Sequence, residues 1–169
     1  VAVGAGGDVA TPARRPRRVL FLCTGNSARS QIAEALLQHR SGGRIVAGSA
    51  GSQPKPEVHP LAVEVLREHG IAWGGRRPRG IDEAAREPWD VVVTVCSRAR
   101  ETCPFIPDVA VREHWDVEDP AAAPEAQRPR AFRDVVEELS RRIDGLVTAL
   151  APAPSSGSRE SSAGERGDA

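Results

Sequence analysis

The amino-acid sequence predicts an α/β fold, a four-stranded parallel sheet with helices on both faces. Short apolar runs at Val19–Leu22 and Val91–Val95 read as strands buried on both sides. Stretches with helical spacing of apolar residues alternate with such runs, the order that builds parallel sheets through right-handed crossovers. The length, 169 residues with 40% hydrophobic and 27% charged side chains, suits one globular domain with some tail and is too short for two.

Residues 1–17, rich in Gly, Ala, Pro and Arg, read as a flexible leader with a basic cluster at Arg14, Arg15, Arg17 and Arg18. After the first strand, Cys23-Thr24-Gly25-Asn26-Ser27 is a polar turn of small residues, and Ala28–His39 carries Ile32, Ala35 and Leu36 at helical spacing. A second strand is expected over Arg44–Gly48. A helix follows over His59–His69, with Leu61, Val65 and Leu66 on one face and Gly70 as its stop. The Val91–Val95 strand leads into a short helix from Ser97 that Pro104 ends. Val109–Trp115 is the fourth strand. Phe132, Val135, Val136, Leu139, Ile143 and Leu146 give the closing helix its apolar face. Residues 151–169 lack apolar periodicity and read as a disordered tail, leaving 18–150 as the domain.

Twenty-three basic side chains balance 23 acidic ones, so net charge gives no reason to expect nucleic acid or an anionic membrane as partner. No run of apolar residues is long enough to span a bilayer, and the opening stretch lacks the apolar core of a secretory signal. The expectation is a cytoplasmic protein whose three cysteines, at 23, 96 and 103, are kept reduced.

In parallel sheets ligands bind beyond the carboxyl ends of the strands. Cys23 and Cys96 each stand one step past a predicted strand, and Asp119 follows the fourth. The stretch Cys23-Thr24-Gly25-Asn26-Ser27-Ala28-Arg29-Ser30 sets a thiol and a guanidinium six positions apart across a strand-to-helix turn. Small residues let its main chain curl with N–H groups inward, and the helix adds its positive end, so the loop is a cup for a tetrahedral oxyanion. Arg29 can grip two oxygens with its planar fork. The same positive field favours the thiolate of Cys23, a nucleophile, to which Ser30 can donate a hydrogen bond. Asp119, in an Asp-Pro pair, is placed to protonate a departing oxygen.

CTGNSARSQIAEALL from Cys23, SAG at 49–51, HP at 59–60, VVTVC ending at Cys96, CP at 103–104, and HW followed by DP at 119–120 keep one order and spacing through the core. This pattern, from about Arg18 to Leu146, resembles the thioredoxin-coupled arsenate reductases, which share the low-molecular-weight protein tyrosine phosphatase fold. The resemblance implies that Cys23 attacks arsenate, Arg29 binds its oxygens and Asp119 is the acid. Cys96 and Cys103 are seven apart; in a helix they share a face but lie about 10 Å apart along the axis, too far for a disulfide. Bonding them requires 97–103 to unwind, so the segment reads as a switch. By resemblance the three act as a relay. Cys96 attacks the Cys23 sulfur as arsenite leaves, Cys103 then attacks Cys96, and thioredoxin or a related thiol reductant opens the final disulfide.

Some members of that family hold potassium with the equivalents of Asn26, Glu34, Ser49 and an acidic residue; here Arg79 replaces the acid, so no metal or other cofactor is expected. His59, His69 and His114 match no common zinc spacing and read as surface or capping residues, and Trp73, Trp89 and Trp115 as packing. Many relatives have cysteine at Ala28, where this loop needs only backbone curvature. Two other functions compete. A tyrosine phosphatase would use Cys23, Arg29 and Asp119 through a phospho-cysteine, but would place aromatic residues after the Asp-Pro, where this chain has three alanines. A non-catalytic oxyanion or redox sensor would use the 97–103 switch alone.

Overall fold

The computed structural model describes residues 15–98 and 100–151. Most of the expected leader and tail lies outside those residues. The elements run β1 (Arg18–Cys23), α1 (Arg29–Arg40), β2 (Val46–Gly51), α2 (Pro60–Glu68), α3 (Ile81–Ala84), β3 (Val91–Cys96), β4 (Val111–Asp116) and α4 (Arg128–Leu150). The strands form one parallel sheet in the order β2-β1-β3-β4. No helix among the described residues is long and apolar enough to cross a membrane.

The two faces of the sheet are covered unequally. Strand alternation sends Val19, Phe21, Val93 and Val95 to one side, where they pack with Ile32 and Leu36 of α1, Val65 and Leu66 of α2, and Phe132, Leu139 and Ile143 of α4. Phe21 and Phe132 are fully buried there, each worth about 1.5–3 kcal/mol of transfer free energy. The other side carries Leu20, Leu22, Ala50 and Val92, and its cover is thin: Ala84 of the four-residue α3, and Ile106 from the irregular chain after β3.

Three elements depart from the sequence reading by more than one or two residues at an end. β2 runs on through Gly48-Ser49-Ala50-Gly51, residues with little strand propensity, because close neighbours require small side chains there. A Cβ on Gly48 would lie 2.4 Å from the Trp89 ring, and one on Gly51 2.5 Å from the Thr24 carbonyl oxygen. The four-residue α3 is too short to show a period. Among the described residues the expected helix from Ser97 does not form beyond one turn, with the N–H groups of Arg100 and Glu101 on the Ser97 carbonyl (3.1 and 2.9 Å), and a Cys96–Cys103 disulfide closes the segment instead. The β3-to-β4 crossover is therefore a loop held by sulfur.

Candidate active site

Residues Cys23 to Ser30 join β1 to α1 as the expected cup. Asn26 adopts positive φ (48°), which asparagine tolerates better than most residues, and three bonds hold it there. Its Oδ1 accepts from Gln31 Nε2 (3.1 Å) and from the Arg79 main-chain N–H (2.9 Å), and its Nδ2 donates to Ser30 Oγ (2.8 Å). Since Ser30 Oγ accepts that bond, its own proton is free to point at Cys23 Sγ, 2.8 Å away. The Asn26 N–H donates to the same sulfur at 3.2 Å. Two donors thus converge on a buried thiol, which is the setting a thiolate acceptor needs. Thr24 Oγ1 is buried without a partner among the described residues, leaving one hydroxyl in the cup to serve a ligand.

A cavity of about 300 Å³ opens over Cys23, walled by Arg29, Glu101, Asp119, Gln53, Lys55 and Ala121. Arg29 is only 4% exposed; its Nη1 donates to the Val117 carbonyl (3.1 Å), which fixes the fork in place. Both terminal nitrogens also donate to the Glu101 carboxylate, at 2.8 and 3.2 Å. A carboxylate with two oxygens on this fork occupies the place of an oxyanion. Asp119 stands at the cavity wall, its Oδ1 accepting from the Ala121 N–H (3.0 Å) at the start of a 3-10 turn, Pro120–Ala122. No aromatic side chain lines this cavity among the described residues.

Cys96 and Cys103 are bonded to one another, with Cα atoms 6.1 Å apart. Cys23 is the free cysteine. Cys96 and Cys23 end adjacent strands, but alternation sets Cys96 on the Leu20–Leu22–Val92 side and Cys23 on the Phe21 side, so they meet only around the carboxyl rim of the sheet. Glu101 bridges the two regions, because it also walls a second cavity beside Cys103 and His114. A His114 ring nitrogen and the sulfurs of Cys96 and Cys103 all lie within 4.8 Å of one another. The disulfide takes the thiolates a metal would need. His59 caps α2, accepting from the Leu61 N–H (3.1 Å), and His69 contacts the Val65 carbonyl.

Behind the cup, Arg79 does more than replace an acid. Its Nε donates to the Ser49 carbonyl (2.9 Å), its guanidinium pairs with Glu87 (2.8 Å), and its charge acts on Glu34, whose Oε2 accepts from Ser49 Oγ (3.3 Å). A small cation would meet a guanidinium here, so the residues do not fit potassium. Burial holds the Glu34 carboxyl at about 7, up from 4.5, against the opposing pull of Arg76 and Arg79. The folded chain therefore keeps a proton that the unfolded chain loses between pH 4.5 and about 7. The stability this confers is full below pH 4.5 and is lost as pH rises through about 7, some 3 kcal/mol across the whole shift. Glu34→Gln is neutral throughout. Relative to the natural chain, its unfolding free energy in urea should gain about 2–3 kcal/mol between pH 4.5 and pH 8; a constant difference would show that Glu34 titrates normally.

The structure thus gathers Cys23, its loop, Arg29 and Asp119 at one cavity, and places Cys103 at a second cavity that shares Glu101 with the first. Sequence reasoning missed Glu101, Lys55 and the Gln31–Trp73 pair. Lys55 carried one signal, being the single lysine in the chain. Its N–H donates to the Gly25 carbonyl (2.9 Å) and its aliphatic stem would meet any Cβ added to Gly25 at 3.2 Å. Trp73, read as packing, also donates its indole N–H to Gln31 Oε1 (2.9 Å), which orients the amide that holds Asn26.

The family model for low molecular weight phosphotyrosine protein phosphatases matches residues 18–154. The chain belongs to this family. Within the low-molecular-weight phosphatase family, it is 37% identical over 127 residues to an arsenate reductase of Halalkalibacterium halodurans, covering 74% of this chain and 91% of that one. Among solved structures, a thioredoxin-dependent arsenate reductase of Corynebacterium glutamicum aligns at 31% identity and TM-score 0.64, over 82% of this chain and 63% of that one. A low molecular weight protein tyrosine phosphatase from T. tengcongensis aligns at 30% identity and the same TM-score, over 79% and 99%. Overall likeness to solved structures therefore does not separate the family's two activities. That distinction falls to the two further cysteines, Cys96 and Cys103.

Proposed function

We propose that the chain reduces arsenate to arsenite through a three-cysteine relay, with thioredoxin or a related dithiol protein as reductant. The observation that carries this reading is a Cys96–Cys103 disulfide in the same chain as a free, doubly hydrogen-bonded Cys23, with Glu101 walling the cavities beside both. A phosphatase has no use for the pair, and the 34–37% identical curated relatives are named arsenate reductases.

In this reading the loop N–H groups, Thr24 Oγ1 and the Arg29 fork bind arsenate. The Cys23 thiolate attacks arsenic, and Asp119 protonates the departing oxygen, which leaves as water. Cys96 then attacks the Cys23 sulfur. The sulfur–arsenic bonding pair stays on arsenic, which falls from the +5 to the +3 state and leaves as arsenite, while Cys23–Cys96 becomes a disulfide. For this Cys96 must swing round the sheet rim, a movement that loosening of 97–103 permits. Cys103 attacks Cys96, Cys23 is freed, and an external dithiol opens the Cys96–Cys103 bond.

The test compares two reactions of the same protein. With thioredoxin, thioredoxin reductase and NADPH, oxidation of NADPH should depend on arsenate. Hydrolysis of p-nitrophenyl phosphate without any arsenate-dependent NADPH oxidation would overturn the reading in favour of a phosphatase, and neither reaction would leave a sensor.

A further inference from the structure

We infer that His114 is the proton acceptor that activates Cys103 in the step that closes the Cys96–Cys103 disulfide; this rests on the relay above. The structure is that of the step's product, and in it a ring nitrogen of His114 lies within 4.8 Å of both sulfurs. The local hydrogen bonds allow the tautomer this step uses. Thr94 Oγ1 can turn its one proton to the Glu113 carbonyl (3.5 Å) and accept at its 2.6 Å contact with His114 Nδ1, so that Nδ1 carries the ring proton. Nε2 is then left with a bare lone pair. That atom is buried and has no hydrogen-bond partner among the described residues. A buried unpaired acceptor costs free energy, and one on a ring that approaches two exchanging sulfurs has a use there.

The charges around the ring keep it neutral. Burial disfavours the imidazolium most, Arg98 from the switch segment opposes it, Asp116 of β4, with an oxygen 3.9 Å from Nε2, works the other way, and Arg142 from α4 adds to the opposition. Glu101, Arg112 and Glu113 complete the charged lining of the cavity on which His114 opens. The balance holds the imidazole below its ordinary range and ready to take a proton at neutral pH.

The step balances within the chain. The Cys103 thiol gives its proton to Nε2, and the resulting thiolate attacks the Cys96 sulfur of the Cys23–Cys96 disulfide. The new Cys96–Cys103 bond forms from the thiolate pair. The bond to Cys23 breaks with its electrons on the Cys23 sulfur, where the Asn26 N–H and Ser30 hydroxyl receive the charge. The proton on His114 later returns to solvent or to the thiol released when the external dithiol acts.

The measurement is a single turnover. Fully reduced protein is mixed with excess arsenate without reductant, quenched by acid and alkylation, and the two disulfides are counted by mass spectrometry from pH 6 to pH 9. His114→Gln should prolong the Cys23–Cys96 disulfide about thirtyfold at pH 7, the reciprocal of the thiolate fraction of an unassisted thiol of pKa about 8.5, and hardly at all at pH 9. His114→Asn, able to keep a bond to Thr94, should do the same. Hydrolysis of p-nitrophenyl phosphate, which needs neither Cys96 nor Cys103, should be unchanged. The inference is overturned if the mixed disulfide decays as in the natural chain at every pH, or if both variants slow both reactions equally at all pH values, the sign of a structural role. No disulfide in the natural chain after arsenate would overturn the relay itself, a distinguishable result.

Discussion

With Cys103 replaced by serine, arsenate reduction should stop after one arsenite per chain. Cys23 and Cys96 can still complete the electron transfer to arsenic, because two thiols supply the two electrons. The protein then holds a Cys23–Cys96 disulfide with no resolving thiol, and the nucleophile is lost with it. Cys23 is buried in its loop, so a protein dithiol meets that bond far less readily than one that includes the part-exposed Cys103. Quenched-flow measurement of arsenite should show a burst equal to the protein concentration and no steady phase, while reduced protein given no arsenate still hydrolyses p-nitrophenyl phosphate. Continued thioredoxin-coupled turnover in the serine variant would remove Cys103 from the relay.

Arg29→Lys should lower kcat/KM for arsenate and for the phosphate ester alike, by about 10²–10³-fold. The effect is large because Arg29 is nearly inaccessible and held by the Val117 carbonyl, so its fork arrives pre-aimed. A lysine keeps the charge but offers no planar pair of donors, and the Val117 oxygen would compete for its ammonium. Steady-state kinetics on both substrates measure this. A loss confined to one would mean that the two oxyanions do not share the cup.

How much of this was legible in the sequence depends on the range of the interaction. β1 could be read because a strand buried on both faces must be apolar throughout, and the Cys23–Ser30 loop because its curvature, charge and nucleophile lie within eight consecutive residues. Gly48 to Gly51 misled as to where β2 ends, since the cause is the Trp89 ring and the Thr24 carbonyl, supplied from elsewhere in the chain. The helix expected from Ser97 shows a different limit: its pattern suits helix, and a covalent bond formed by oxidation overrides it. Glu101 was invisible for a third reason. Its partner lies 72 positions away, and one glutamate among many carries no local mark.

That glutamate gives the fold a bookend. While the Cys96–Cys103 bond stands, the chain supplies its own counter-anion to the substrate seat, and an incoming phosphate or arsenate has to evict it. If opening the bond lets Glu101 leave Arg29, eviction and opening favour one another in both directions, as reciprocity demands of coupled events. A spent molecule should thus bind phosphate more weakly than a recharged one. Saturating phosphate should in turn make the spent form easier to recharge, so that the anion to be processed helps ready the catalyst for its next round.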